Sequence, residues 1–131
     1  METEQKFEIR GGCELKGEIR VNGAKNSALK ILASVVLAEK EISIKNFPFI
    51  EDTQRMLEIL EKLGAVVSKD VKKKKVKIDP KGIKKGNLQG ELVKQLRASI
   101  LLVGPLLARF GEVDMVYPGG CVIGKRPIDI F

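Results

Sequence analysis

The chain has no histidine and no tryptophan, one tyrosine and two cysteines among 131 residues. Without histidine it holds no Cys-His dyad, no Ser-His-Asp triad and no His-ligated metal site of its own. Cys13 and Cys121 are too few for a disulfide framework and lack Cys-x-x-Cys spacing. Proton transfer is left to Cys, Lys, Asp, Glu or Tyr117. Aromatic residues are only 5% of the chain. The run Lys72 to Lys75 therefore lacks the interleaved rings that stack bases, and it reads as a solvated hairpin tip. Long apolar runs are missing too. The longest, Ala98 to Ala108, is interrupted by Gly104 and Pro105 and falls short of the about 20 residues that span a bilayer. No basic segment leads into an apolar one at the N-terminus, so no signal peptide is expected. These absences predict a soluble cytoplasmic protein with neither a membrane nor a nucleic-acid partner.

What is present is enough to fold. Apolar residues make up 44% of the chain, which suits a packed domain rather than a disordered one. The net charge is +7, from 24 basic and 17 acidic residues, and favours phosphate and carboxylate ligands.

Hydrophobic periodicity gives an alternation of helices and strands. Phe7 to Arg10 and Gly17 to Val21 read as short strands. Asn26 is placed to cap a helix with Ala28, Ile31, Leu32, Val35 and Val36 on one face. Glu41 to Asn46 alternates as a strand with Ile42 and Ile44 inward. After Pro48, Asp52 or Thr53 caps a second helix with Met56, Ile59, Leu60 and Leu63 inward, closed by Gly64. Val66 to Ser68 and Val76 to Ile78 form a hairpin. A third helix covers Leu92 to Leu102, with Pro105 kinking it or beginning a new turn. Val113 to Tyr117 is a strand. Helices near 25–37 and 91–108 begin comparable units about 65 residues apart, so a repeated α/β module is expected. The ending at Phe131, where a further helix should start, reads as a truncation.

Three places carry chemistry. In the stretch Pro118 to Asp129, Cys121 sits among Gly119, Gly120 and Gly124 with Lys125 and Arg126 close behind. Glycines let the backbone approach a ligand, and nearby cations favour a reactive thiolate. Gly23-Ala24-Lys25-Asn26-Ser27 is the second. It is not a nucleotide-hydrolysing phosphate loop, because Gly-x-x-x-x-Gly-Lys-Ser/Thr is absent. Lys25 at a helix N-terminus opposes the macrodipole, and a bound anion would reverse that penalty; a solvated loop lysine is the plain alternative. Arg97 is the third, flanked by Leu96 and Ala98. It is either an anion-pairing arginine entering an apolar surface or an exposed one on the polar face. Arg109, near a helix end, is better explained as a C-terminal charge favourable to the dipole.

Together these motifs resemble the UDP-N-acetylglucosamine 1-carboxyvinyltransferases, the enolpyruvyl transferases that open peptidoglycan precursor synthesis. The resemblance runs along the whole chain. It includes Gly11-Gly12, Gly23-Ala24-Lys25-Asn26, Asp52 before Met56-Leu57, Leu96-Arg97-Ala98-Ser99-Ile100, Gly104-Pro105-Leu106, Pro118-Gly119-Gly120-Cys121 and Arg126-Pro127-Ile128-Asp129. It implies transfer of the enolpyruvyl group of phosphoenolpyruvate to the 3′-hydroxyl of UDP-N-acetylglucosamine, with no metal or organic cofactor. The implied fold class is α/β, an inside-out α/β barrel of enolpyruvyl transferase-like repeats, incomplete in this chain. Residues 1–24 would be a strand segment pairing with an absent second domain, and 25–131 a partial catalytic domain.

Carried over by position, Cys121 is the proton donor to phosphoenolpyruvate and the residue alkylated by fosfomycin. Lys25 and Asn26 bind phosphoenolpyruvate, and Arg97 lies near the nucleotide-sugar phosphates. Arg126, Pro127, Ile128, Asp129 and Ile130 bind UDP-N-acetylglucosamine. Lys125 replaces a small or acidic residue, and Phe131 stands where the family has histidine. Family members are about three times as long, consistent with two domains. Their general-base aspartate and further arginines lie beyond this stretch, so the isolated chain is expected to be inactive. The runner-up is the shikimate-pathway enolpyruvyl transferase, which lacks the Pro-Gly-Gly-Cys loop. A non-catalytic fragment that self-associates through an incomplete barrel is the reading from another class.

Overall fold

A computed structural model describes residues 6–119 and 127–129. Regular secondary structure begins at helix α1, Lys25–Ser34, extended by a 3₁₀ turn over Val35–Leu37. Strand β1 (Ile42–Lys45), helix α2 (Glu51–Leu63) and the hairpin strands β2 (Val66–Asp70) and β3 (Lys75–Asp79) follow. A second unit comprises β4 (Asn87–Leu88), α3 (Glu91–Gln95), a 3₁₀ stretch over Arg97–Leu102, α4 (Val103–Phe110) and β5 (Asp114–Met115).

The strands form two sheets. In the first, β3 lies between β1 and β2, antiparallel to both. Ile42 and Ile44 stand opposite Ile78 and Val76, and Val67 is also opposite Ile78. These side chains face the helices, while Ser43 and Lys77 face water. In the second sheet β4 and β5 pair in parallel, the arrangement a helical crossover permits.

One core joins both units. Leu32, Val36, Met56, Leu57, Leu60, Val76, Ile78, Leu102 and Leu106 are fully buried. The two units share α1, which packs on α2 and on the Arg97–Leu102 turn.

Several sequence expectations change here. The strands expected at Phe7 to Arg10 and Gly17 to Val21 do not form among the described residues. Phe7, Ile9, Ile19 and Val21 are exposed, and an extended segment with no neighbour has nowhere to place its ladder hydrogen bonds. Asn26 does not cap α1: the N-cap is Ala24, without a side-chain bond, and Lys25 is already helical. Ile31 is 43% exposed, and Leu29 takes its place inward beside Leu32. Helix α2 has Ile50 as N-cap rather than Asp52 or Thr53. Thr53, three residues on, accepts the Ile50 N–H on its hydroxyl oxygen at 3.1 Å, which is half of a capping box. Helix α2 ends as read. Gly64 N–H donates to the Glu61 carbonyl and Ala65 N–H to the Leu60 carbonyl, the Schellman pair.

The expected single helix Leu92 to Leu102 is broken at Leu96, whose backbone is extended (φ −126°, ψ 108°). Leu96 is buried. Ser99, also buried, bridges the break by donating its hydroxyl proton to the Val93 carbonyl at 3.2 Å. Pro105 falls in the first turn of α4, where a proline is tolerated.

Candidate active site

Two helix N-termini meet at the site. Gly23 brings α1 there: a Cβ on it would lie 2.1 Å from the Asn46 carbonyl oxygen at the end of β1. The chain can pass this point only as glycine. Two residues later Lys25 opens α1, and its Nζ lies 2.8 Å from Asp52 Oδ2 in the first turn of α2. The pairing has a physical basis. A carboxylate is favourable at the start of α2, while Lys25 is unfavourable at the start of α1, and the ion pair offsets that penalty.

The break at Leu96 turns the next segment toward the same place. Lys25, Asn26, Asp52, Gln95 and Arg97 share one cleft of about 360 Å³, floored by Leu29, Leu96 and Leu101. Arg97 is half-buried there. The anion-pairing reading of Lys25 and Arg97 thus acquires a common location, while Asn26, displaced from the cap, lines the cleft.

Two residues that were not among the predicted site residues shape this cleft. Asp52 holds Lys25. The signal for it was a lysine at a helix start, which calls for a counter-charge. Arg55, one turn along α2, forms an ion pair with Glu51 and donates to the Gln95 carbonyl at 2.9 Å. It thereby fixes α3 to the cleft wall; no local pattern reveals a contact 40 residues away.

The described residues that lead into the glycine loop follow β5 and meet α3. Pro118 is buried, and a Cβ on Gly119 would lie 2.0 Å from the Lys94 carbonyl oxygen. Gly119 therefore rests directly on the backbone that leads to Arg97. Cys121, Arg126 and Ile130, with Lys125 and Phe131, lie outside the described residues. Pro127 and Asp129 are exposed and Ile128 is half-buried, and none of the three lines the Lys25 cleft. Arg109 does more than face a helix dipole. Its guanidinium donates to the Val36 carbonyl at 2.7 Å and sits over the Phe110 ring, tying α4 to the end of α1.

A family profile described as EPSP synthase (3-phosphoshikimate 1-carboxyvinyltransferase) matches residues 9–131. The chain belongs to the EPSP synthase family. It is 46% identical over 124 residues, 95% of its length, to a UDP-N-acetylglucosamine 1-carboxyvinyltransferase of Psychromonas ingrahamii. It spans 29% of that relative's length. The solved enolpyruvyl transferase NikO of Streptomyces tendae superposes with a TM-score of 0.67 at 29% identity, over 77% of this chain and 23% of that one. The two units described above are thus part of an enolpyruvyl transferase fold, as the α/β reading expected. Among the described residues no helix is long and apolar enough to cross a membrane.

Proposed function

We propose that this chain supplies the anion-binding side of an enolpyruvyl transfer site that moves the enolpyruvyl group of phosphoenolpyruvate to the 3′-hydroxyl of UDP-N-acetylglucosamine. The observation that carries the reading is the convergence of Lys25, Asn26 and Arg97, widely separated in sequence, on one cleft. Similarity to a carboxyvinyltransferase named for that nucleotide sugar supports the choice of acceptor over shikimate.

The chemistry asks for what these residues offer. The sugar oxygen bonds to C2 of phosphoenolpyruvate while the double-bond electrons take a proton at C3. Cys121 is the donor by its place in Pro-Gly-Gly-Cys, and the hydroxyl proton leaves to a base. Breaking the C2–O bond to phosphate, with loss of a C3 proton, restores the double bond and releases phosphate. Negative charge sits on phosphate and carboxylate throughout, and fixed cations stabilise it best in a site shielded from water. Lys25 and Arg126 take that role, and Arg97 meets the nucleotide-sugar phosphates. On this reading residues 1–24 pair with a second domain that closes the cleft, and the reaction needs no cofactor.

Fosfomycin tests the reading without requiring turnover. Its epoxide is opened by a thiolate while its phosphonate occupies a phosphate site. Intact-mass analysis should show one adduct, located on Cys121, forming faster with UDP-N-acetylglucosamine. Lys25→Ala should slow it about tenfold, equivalent to about 1.4 kcal/mol. Equal labelling of the exposed Cys13, or a rate indifferent to Lys25, would defeat the proposal.

A further inference from the structure

The turn joining β2 to β3 closes beside the end of β1 and leaves a second cleft, of about 520 Å³. Its charged lining is Arg20, Lys45 and the four lysines Lys72 to Lys75; Val21 and Asn46 complete it, and among the described residues no carboxylate lines it. It shares no lining residue with the Lys25 cleft. The lysine run is the exposed hairpin tip that the pattern predicts, and its side chains also line this cleft.

The fold brings the backbone positions of these cations together. Lys45 stands directly opposite Lys75 in the β1–β3 register, and like charges so placed on antiparallel strands are destabilising. Among the described residues, the carboxylate that pairs with this group is Asp70, which faces Lys75 from β2 and lies 4.0 Å from Lys73. Lys74 fixes the turn: its Nζ donates to Asn22 Oδ1 at 2.6 Å, and its carbonyl accepts the Phe47 N–H at 2.8 Å. One carboxylate thus serves a concavity of cations whose backbone cannot readily move apart.

We propose that this cleft binds a linear polyphosphate of at least three phosphates. A chain of charges matches cations spread over the segment before α1, the end of β1 and the turn, where a single phosphate would meet only some of them. Among the described residues no aromatic ring lines the cleft, so they offer no platform for stacking a base. Binding relieves the Lys45–Lys75 repulsion, and added salt weakens it by screening.

Calorimetric titration of inorganic triphosphate into the full chain should give saturable binding that weakens at higher salt. The double variant Lys45→Ser/Lys75→Ser should lose about tenfold or more in affinity. Lys30→Ser/Lys40→Ser, which removes the same charge from exposed positions outside the cleft, should bind as the unmodified chain does. Thermal unfolding without ligand should show the first variant at least as stable as the parent, because the Lys45–Lys75 repulsion is gone. Were it to misfold, Lys72→Ser/Lys73→Ser in the exposed turn carries the same test. No binding to the parent chain, or equal weakening in cleft and control variants, overturns the proposal. So does tighter binding of a single-stranded oligonucleotide of matched charge, which would make the surface a nucleic-acid one.

Discussion

Adjacent residues Asp52 and Thr53 separate two kinds of contribution at the residue scale. The Lys25–Asp52 pair is partly solvated, with side chains 50% and 38% exposed. Such a pair adds at most about 1 kcal/mol to stability, so its importance lies in where it puts the lysine. Thr53 is fully buried, and its hydroxyl takes the Ile50 N–H. Urea denaturation should find Asp52→Asn within about 1 kcal/mol of the parent and Thr53→Ala about 1–2 kcal/mol less stable, the usual effect of losing a helix-capping hydroxyl. A larger loss for Asp52→Asn would make that residue structural instead. Lys25 is open to an anion-binding reading because a lysine at a helix start is an electrostatic oddity, with a solvated lysine as the alternative. Asn26 reads from pattern as a cap, and only the family resemblance gives it a place in the site. Arg97 was legible only as one of two alternatives, since whether an arginine beside leucines faces a cleft depends on the backbone at Leu96. Asp52 stood in plain view as a helix-start residue, and its partner 27 positions upstream is a matter of tertiary packing.

Among the elements, periodicity identified most helices but not always their faces. α1 was recognised from apolar spacing, yet that spacing admits both Leu29 and Ile31, and the choice is made by the position of α2. The structure buries Leu32 completely and leaves Ile31 43% exposed. Leu32→Ala should therefore destabilise by about 2–5 kcal/mol, while Ile31→Ala should change stability by about 0.5 kcal/mol, as surface substitutions do. Comparable losses in denaturant midpoint at the two positions would refute this assignment of faces. The break at Leu96 was illegible for another reason. Leu92 to Leu102 contains no proline and no glycine, so local propensity favours a continuous helix. The buried Ser99–Val93 bond and the core position of Leu96 override it. A six-residue 3₁₀ stretch follows, longer than such turns usually run, and turns of this kind recur at functional positions. Here it carries Arg97. The hairpin was read correctly because β-branched alternation around a polar turn has few other solutions.

For the molecule as a whole, the segment before α1 sets the behaviour in solution. Phe7, Ile9, Leu15, Ile19 and Val21 are 81–99% exposed, and Phe7/Ile9 and Ile19/Val21 keep the two-residue alternation of a strand without a sheet to join. Exposed apolar residues in an extended backbone offer both surface and unpaired hydrogen-bonding groups, a combination that recruits another strand. In the proposed architecture a second domain provides it; in a solution of this chain alone the available partner is another copy. Sedimentation velocity should then show weight-average mass rising with concentration. Replacing Phe7, Ile9, Ile19 and Val21 by serine should abolish the rise without moving the thermal midpoint, because none of the four contributes to the core around Leu32, Met56 and Leu60. Persistence of the association in that variant would direct attention to the other exposed apolar side chains, among them Val66 and Leu107. A monomer at every concentration would mean that strand pattern and exposure here do not suffice for pairing, and the proposed domain contact would then need side-chain pockets as well as backbone hydrogen bonds.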